Sequence, residues 1–134
     1  MNQDFTATTH GITVVVRTFY LPEQSRPADF HFVWAYHITI INGGSKKVQL
    51  LRRTWRITDE TGHTTHVHGD GVVGYTPVLA QGEQFEYTSG TPLATSSGFM
   101  TGKYHMQEVE SGTEFDIAIP AFSLDSPHQD TRRH

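Results

Sequence analysis

The residues with the most recognisable chemistry lie between positions 69 and 74. They read Gly-Asp-Gly-Val-Val-Gly, which is the G-x-G-x-x-G spacing of dinucleotide-binding loops. Such a loop needs a helix after it and an acidic residue about 20 positions further on. Pro77 and Gly82 interrupt the segment that would form this helix, and no acid lies between Glu86 and Glu108. The sequence argues against a dinucleotide fold, although three glycines can still turn backbone N–H groups toward an anion.

An anion in this loop would also need positive charge from a neighbouring segment. No Lys or Arg occurs between Arg56 and Lys103, whereas several carboxylates do. The arginines of the preceding strand are therefore the available cations. The alternative is a turn whose glycines only supply a positive φ. The candidate ligand residues are those of the loop and of the preceding strand: Gly69, Gly71, Gly74, Arg52 and Arg53.

His66 and His68 suggest a second kind of site. Alternate positions on a strand share a face, and two such imidazoles can ligate zinc. A structural zinc site needs four protein ligands and a catalytic site needs three, and Asp70 is the nearest further candidate. The alternative is a polar, solvated strand face. The two histidines are therefore weak metal candidates, and we expect no metal centre and no cofactor.

No catalytic set is recognisable. The chain has no Cys, which removes thiolate nucleophiles, disulfides and cysteine-ligated metals. Neither a G-x-S-x-G elbow nor an H-E-x-x-H pair occurs. Ser, His and Asp are present, but one sequence cannot bring them together in space. We therefore predict no enzymatic activity and name no catalytic residue.

The elements that must position these residues are β-strands. Apolar residues alternate with polar ones across Phe32 to Ile40 and again across Phe115 to Ile119, where Pro120 is expected to end the ladder. The segment Ile12 to Phe19 is rich in β-branched residues and predicts a first strand. Glycine-containing turn signals recur through the chain. This spacing predicts an antiparallel sandwich or barrel of about seven to eight strands, and the one-sided apolar faces favour the sandwich.

The segment from Val48 to Asp59 changes its period. Leu50 lies at an even position and Trp55 at an odd one, so one period-two strand cannot place both in the core. We predict a β-bulge between them. Arg53 shares the parity of Trp55. Residues 59–63 then read as a hairpin turn that leads into the histidine-bearing strand.

Four large aromatic side chains are expected in the core, because aromatic residues supply much of the buried area of a small sandwich. Trp55 has an alternative role in an exposed contact patch, since it is close in sequence to two arginines. The four residues are Trp34, Tyr36, Trp55 and Phe99.

Length and charge limit the organisation of the chain. Its 134 residues fit one domain, which we assign to 1–124, followed by a flexible C-terminal tail at 125–134 that contains no apolar residue. The formal charge of −4 excludes a strongly basic nucleic-acid binder. The N-terminus lacks a basic n-region, and no apolar run is long enough to span a membrane. We expect a cytoplasmic protein without membrane insertion.

Several blocks of the sequence resemble the ApaG domain in the order in which that family has them. They are residues 48–62, the glycine motif with Pro77, Tyr87-Thr88-Ser89-Gly90-Thr91, Gly98 to Tyr104 and Ile119 to Leu124. The resemblance covers about Gly11 to Leu124. Two positions depart from the family pattern: Thr54 stands where His is common, and Tyr75-Thr76 where Glu-Gln is common.

This resemblance implies an immunoglobulin-like or fibronectin-type-III-like β-sandwich. It also implies an association with cobalt and magnesium resistance or efflux, for which bacterial members are called CorD. The domain occurs in eukaryotic F-box proteins and in a polymerase-interacting protein, which implies a protein-interaction role. For the glycine motif it implies pyrophosphate-type ligands at Gly69, Gly71 and Gly74. It supplies no catalytic residue.

The sequence thus leads to three functional hypotheses. The first is a non-enzymatic interaction module with an unidentified protein partner, linked to divalent-cation homeostasis; here the fold itself says nothing of function. The second is a binder of phosphate-containing small molecules. The third is direct metal sensing by His66 and His68.

Overall fold

A computed structural model describes residues 4–128 of the chain. Within this range the chain forms nine strands and two short 3₁₀ turns, the latter at Pro22–Gln24 and Pro27–Asp29. The strands, in chain order, are β1 Asp4–Thr9, β2 Ile12–Tyr20, β3 Phe32–Asn42, β4 Val48–Asp59, β5 Thr64–Asp70, β6 Val78–Leu79, β7 Gln84–Leu93, β8 Gly98–Glu108 and β9 Glu114–Leu124.

The strands form two antiparallel sheets, which confirms the predicted all-β sandwich. One sheet has the order β1-β2-β3-β7 and the other β5-β4-β8-β9, with β6 paired to the first residues of β4. The strand number exceeds the expected seven to eight because of β1, a polar strand, and β6, which has two residues. β1 alternates only between exposed and half-buried positions.

The core lies between the sheets and follows the period-two pattern. On β3 the even residues from Phe32 to Ile40 are buried, and Trp34 is completely enclosed. Tyr36 and Trp55 are also buried, so the expected core role of these aromatics is confirmed. The prediction for Phe99 is wrong, since this residue is 48% exposed. The inward residues of β8 include Met100, Tyr104 and Met106, which leaves Phe99 on the solvent face.

Pro120 does not end its strand. β9 continues to Leu124, and its register with β8 shifts between the Met100–Phe122 and Gly102–Ile119 pairs. This irregularity takes up the residues around Pro120, whose missing N–H would otherwise interrupt a regular ladder. The strand beyond the proline still contributes Phe122 and Leu124 to the core.

One side of the sandwich is closed by β1 and β9, which lie against each other. The Phe5 and Phe122 rings meet there with centroids 6.1 Å apart. Beyond β9, the Asp125 carbonyl accepts a 2.8 Å hydrogen bond from the Trp34 indole N–H, and the His128 ring lies 5.8 Å from that of Tyr20. The first part of the predicted tail therefore contacts the sandwich, and residues 129–134 lie outside the described range. No helix within residues 4–128 is long and apolar enough to cross a membrane.

Candidate functional site

A β-bulge in β4 decides which side chains reach the site. The register of β4 with β8 shifts between Leu50 and Arg52, which confirms the bulge expected between Leu50 and Trp55. Because of this extra residue, Leu50 before it and Trp55 after it both point into the core. Arg53 follows Trp55 to the inner face, whereas Arg52 projects from the outer face.

A shallow depression of about 300 Å³ lies on the outer face where β5, β4 and β8 run side by side. Four of the residues that the sequence singled out line it, namely Arg52, Arg53, Gly69 and His68, whereas Gly71 and Gly74 do not. The Arg52 guanidinium borders it and donates to Glu114 Oε1 at 3.0 Å. The full lining is Arg52, Arg53, Thr54, His68, Gly69, Asp70 and His105.

Arg53 is held by backbone carbonyls. Its Nη1 donates to the carbonyl oxygens of Asp70 at 3.0 Å and of Gly71 at 2.8 Å. Gly69 faces it, and a Cβ at that position would stand 2.7 Å from the guanidinium carbon. A Cβ at position 69 would therefore displace this guanidinium from its present place. None of the ion pairs found within residues 4–128 includes Arg53.

Three tyrosines of the core lie within the electrostatic reach of Arg53. Burial raises the pKa of Tyr36, Tyr87 and Tyr104, and the positive charge of Arg53 lowers each pKa in part. The Tyr87 and Tyr104 hydroxyls form a buried hydrogen bond of 2.5 Å. These phenols stay neutral near pH 7, so the charge that enters this end of the core is that of the arginine.

The glycine motif forms a hairpin turn and not the start of a helix. The amide N–H of Gly71 donates to the Leu51 carbonyl at 2.8 Å, and Val72 and Tyr75 exchange two backbone hydrogen bonds of 2.8 Å. Val73 and Gly74 occupy the two central turn positions with φ of 43° and 89°, as a type I′ turn requires. The amides of Gly71 and Val72 are thus engaged by the protein itself.

The histidines of β5 occupy alternate positions of that strand and so share one of its faces. His66 is the register partner of Arg56, and His68 is the register partner of Thr54. Within the described range, no group of three or more His, Asp or Glu side chains is arranged to hold a metal ion.

A row of hydrogen-bonded polar side chains crosses the outer face and was not anticipated from the sequence. Asp116 Oδ1 lies 2.7 Å from His105 Nδ1, and His105 Nε2 lies 2.8 Å from the Thr54 hydroxyl oxygen. His68 Nδ1 lies 3.4 Å from the same oxygen. The four residues come from four strands, so their meeting depends on register and on the β4 bulge. No local sequence signal contains this information.

Comparison with known proteins agrees with this fold and these motifs. Residues 22–108 match the family model described as the ApaG domain. The chain is 59% identical over 128 residues to Protein ApaG of Paramagnetospirillum magneticum, covering 96% of this chain and 98% of that protein. It is 52% identical over 130 residues to Protein ApaG of Parvibaculum lavamentivorans, covering 97% and 99%.

A solved structure gives the same answer. The crystal structure of a protein titled putative ApaA, from Bordetella pertussis, aligns with a TM-score of 0.84 and 46% identity, covering 88% of this chain and 95% of that one. Matches of this extent in sequence and structure establish the family: the chain belongs to the ApaG domain family.

Proposed function

We propose that this chain is a non-catalytic, cytoplasmic binding module that docks a partner protein on the turn formed by the glycine motif. The observation that carries the proposal is a group of exposed apolar side chains close together in the sequence, Val73, Tyr75 and Val78, which we call the apolar patch. Their exposed fractions are 50%, 61% and 47%. They make up half of the large exposed hydrophobic residues found in 4–128, and they occur within six positions. Concentrated apolar exposure of this kind is typical of interaction surfaces.

The turn that presents this apolar patch is held rigidly. Val72 is completely buried and anchors the hairpin, while its two hydrogen bonds with Tyr75 fix the backbone. Val73 adopts a left-handed conformation that a β-branched side chain rarely takes. A rigid, strained residue displayed to solvent is a common feature of binding surfaces, because a preordered surface loses little entropy when it binds.

The charge around the apolar patch favours a basic partner segment. In the sequence no Lys or Arg occurs from residue 57 to residue 102, whereas Asp70 precedes the turn and Glu83 follows it. The nearby Arg53 is turned inward, against the carbonyls of Asp70 and Gly71. An apolar segment flanked by Lys or Arg would complement this surface, and the charge pairing would speed association. The family's association with cobalt and magnesium resistance would then operate through the partner.

The test places a photo-crosslinking residue at Val78 in the full chain, with Val109 as the matched control, since Val109 is a 43% exposed valine in another turn. We expect a protein adduct from position 78 that is absent from position 109 and is lost when Val73→Ser and Tyr75→Ser are added. With the purified partner, the Kd of the complex should rise as the salt concentration is raised. The same adducts from both positions would reject the apolar patch as the docking surface.

A second candidate function is the binding of a phosphate-containing small molecule at the outer-face depression. The observation that favours it is that Arg52 and Gly69 both line this depression and that the Arg52 guanidinium projects from the outer face. Calorimetric titration with pyrophosphate tests it: Arg52→Ala should weaken binding, and Arg53→Ala should act only through the backbone carbonyls of Asp70 and Gly71 that Arg53 holds. Arg26→Ala, at an exposed arginine on another part of the chain, should leave binding unchanged. A flat titration of the unmodified protein would exclude this function.

A further inference from the structure

The polar row on the outer face has the geometry of an activated hydroxyl group. We propose that Thr54 is a covalent modification site that accepts an acyl group from small activated acyl donors, with His105 as the general base. The inference goes beyond partner docking and does not depend on it. It rests on three consecutive groups with suitable separations: a carboxylate, an imidazole and a hydroxyl.

The hydrogen-bond directions follow from what each group can donate. An ionised Asp116 carboxylate only accepts, so His105 Nδ1 must carry the proton in their 2.7 Å contact. In a neutral imidazole the other nitrogen, Nε2, is then an acceptor. Thr54 therefore donates its hydroxyl proton to Nε2 across 2.8 Å. This is the arrangement in which a base activates a weak hydroxyl nucleophile and a carboxylate orients the base.

The reacting oxygen is accessible. Thr54, His68 and His105 all line the outer-face depression, which leaves room for a small acyl donor. His68 Nδ1 stands 3.4 Å from the Thr54 oxygen, on the β5 side of the depression and away from His105.

The step balances without any further reactant. The Thr54 oxygen forms a bond to the carbonyl carbon of the donor, and the bond from that carbon to the leaving group breaks. His105 Nε2 takes the hydroxyl proton and passes it to the leaving group. The products are a threonine ester and the released alcohol, phenol or acid. The neighbouring amides belong to the β4 ladders, so they provide no backbone oxyanion hole and a single acylation is expected without rapid turnover.

The chain contains a matched control for Thr54. Thr58 lies on the same face of the same strand, but its hydroxyl is 3.0 Å from the Thr64 hydroxyl and not beside an imidazole. A second internal comparison is Lys103, the register partner of Thr54, whose amine lies on the same face as a competing nucleophile and is 3.7 Å from Asp116 Oδ2. Acylation that depends on general exposure alone would appear at these positions as readily as at Thr54.

The experiment treats the full chain with p-nitrophenyl acetate, follows nitrophenolate release and maps the acetyl group by peptide mass spectrometry. We expect one acetyl on Thr54, at a rate at least about tenfold above Thr58, since general bases contribute about 10²–10⁴-fold. Thr54→Val should abolish the label and Thr58→Val should keep it. His105→Ala should slow the reaction, and added imidazole should restore it.

Asp116 acts through His105 and is a positioning residue. Asp116→Asn should slow labelling, whereas Asp116→Glu should recover part of the rate, with melting temperatures recorded for every variant. The proposal is overturned if the acetyl is found on Thr58 or Lys103 as fast as on Thr54, if Thr54 is not labelled, or if nitrophenolate release is unchanged in Thr54→Val.

Discussion

Replacing Val73 with Asn should stabilise the fold while it weakens docking, because the two effects have different physical origins. Val73 has φ of 43° at the first central position of its turn. A left-handed conformation costs an L-residue about 1–2 kcal/mol, and Asn tolerates it far better than Val. Asn-Gly is also the preferred pair for a type I′ turn, and Gly74 is already in place.

The expected gain can be worked out from the exposure of the side chain. Val73 is 50% exposed. The substitution therefore loses at most about half of the hydrophobic stabilisation of a fully buried valine, which is roughly 1.5 kcal/mol. Subtracting about 0.7 kcal/mol from the strain relief leaves a net gain of about 0.3–1.3 kcal/mol. For a domain of this length that gain corresponds to a rise in Tm of about 1–5 °C.

Thermal unfolding followed by circular dichroism measures the change in Tm, and two further variants serve as controls. Val109→Asn alters a valine of similar exposure that does not have a positive φ, so its Tm should stay level or fall slightly. Gly74→Ala puts a Cβ into open space at φ of 89°, so only backbone strain acts and its Tm should fall. If Val73→Asn melts no higher than Val109→Asn, the strain argument is refuted. Crosslinking from Val78 should weaken in the same stabilised variant.

The other expectations concern the core beside the site. Tyr87→Phe or Tyr104→Phe alone leaves the other buried hydroxyl unpaired and should lower the free energy of unfolding by about 1–3 kcal/mol. In urea titrations the double variant should lose less free energy than the two single variants lose together. Burial raises the pKa of both phenols, so above about pH 10 they ionise readily only in the unfolded chain. The Tm should therefore fall as the pH rises past that value, and it should fall less in the double variant. Gly69→Ala should cost about 1–3 kcal/mol by displacing Arg53 from its two carbonyls, and should be nearly neutral in an Arg53→Ala background. Equal costs in both backgrounds would contradict this account.

The sequence predicts the sandwich because strands with one buried face have apolar residues at every second position. β3 is the clearest case, since its apolar residues occupy alternate positions and the structure buries them. The β4 bulge was also predictable, because a change of period within one strand has few other solutions. Pro120 was misjudged because the register of β8 with β9 becomes irregular beside it, and no local pattern records that irregularity. Phe99 was misjudged for another reason: its exposure follows the alternation of β8 that turns Met100 and Tyr104 inward, and its aromatic character was given more weight than that alternation.

The candidate site was predictable only in part. Arg52, Arg53, Gly69 and His68 do line one depression, and sequence proximity to a glycine motif was enough to suggest them. Gly71 and Gly74 were suggested by the same motif, yet their positive φ values serve the hairpin. His105 and Asp116 come from distant strands, and their approach to Thr54 is a property of strand register across the whole sheet.

The bulge in β4 links the core to the outer face. Adjacent residues on a strand point to opposite faces, so the pair Arg52 and Arg53 always places one guanidinium inside and one outside. Without the extra residue Arg52 and Thr54 would continue the inward face of Leu50, and Trp55 would point to solvent. Burial of Trp55 in the core therefore also brings the Thr54 hydroxyl outward to His105. The hydrophobic effect, acting on one large aromatic side chain, thus determines which polar groups the outer face presents.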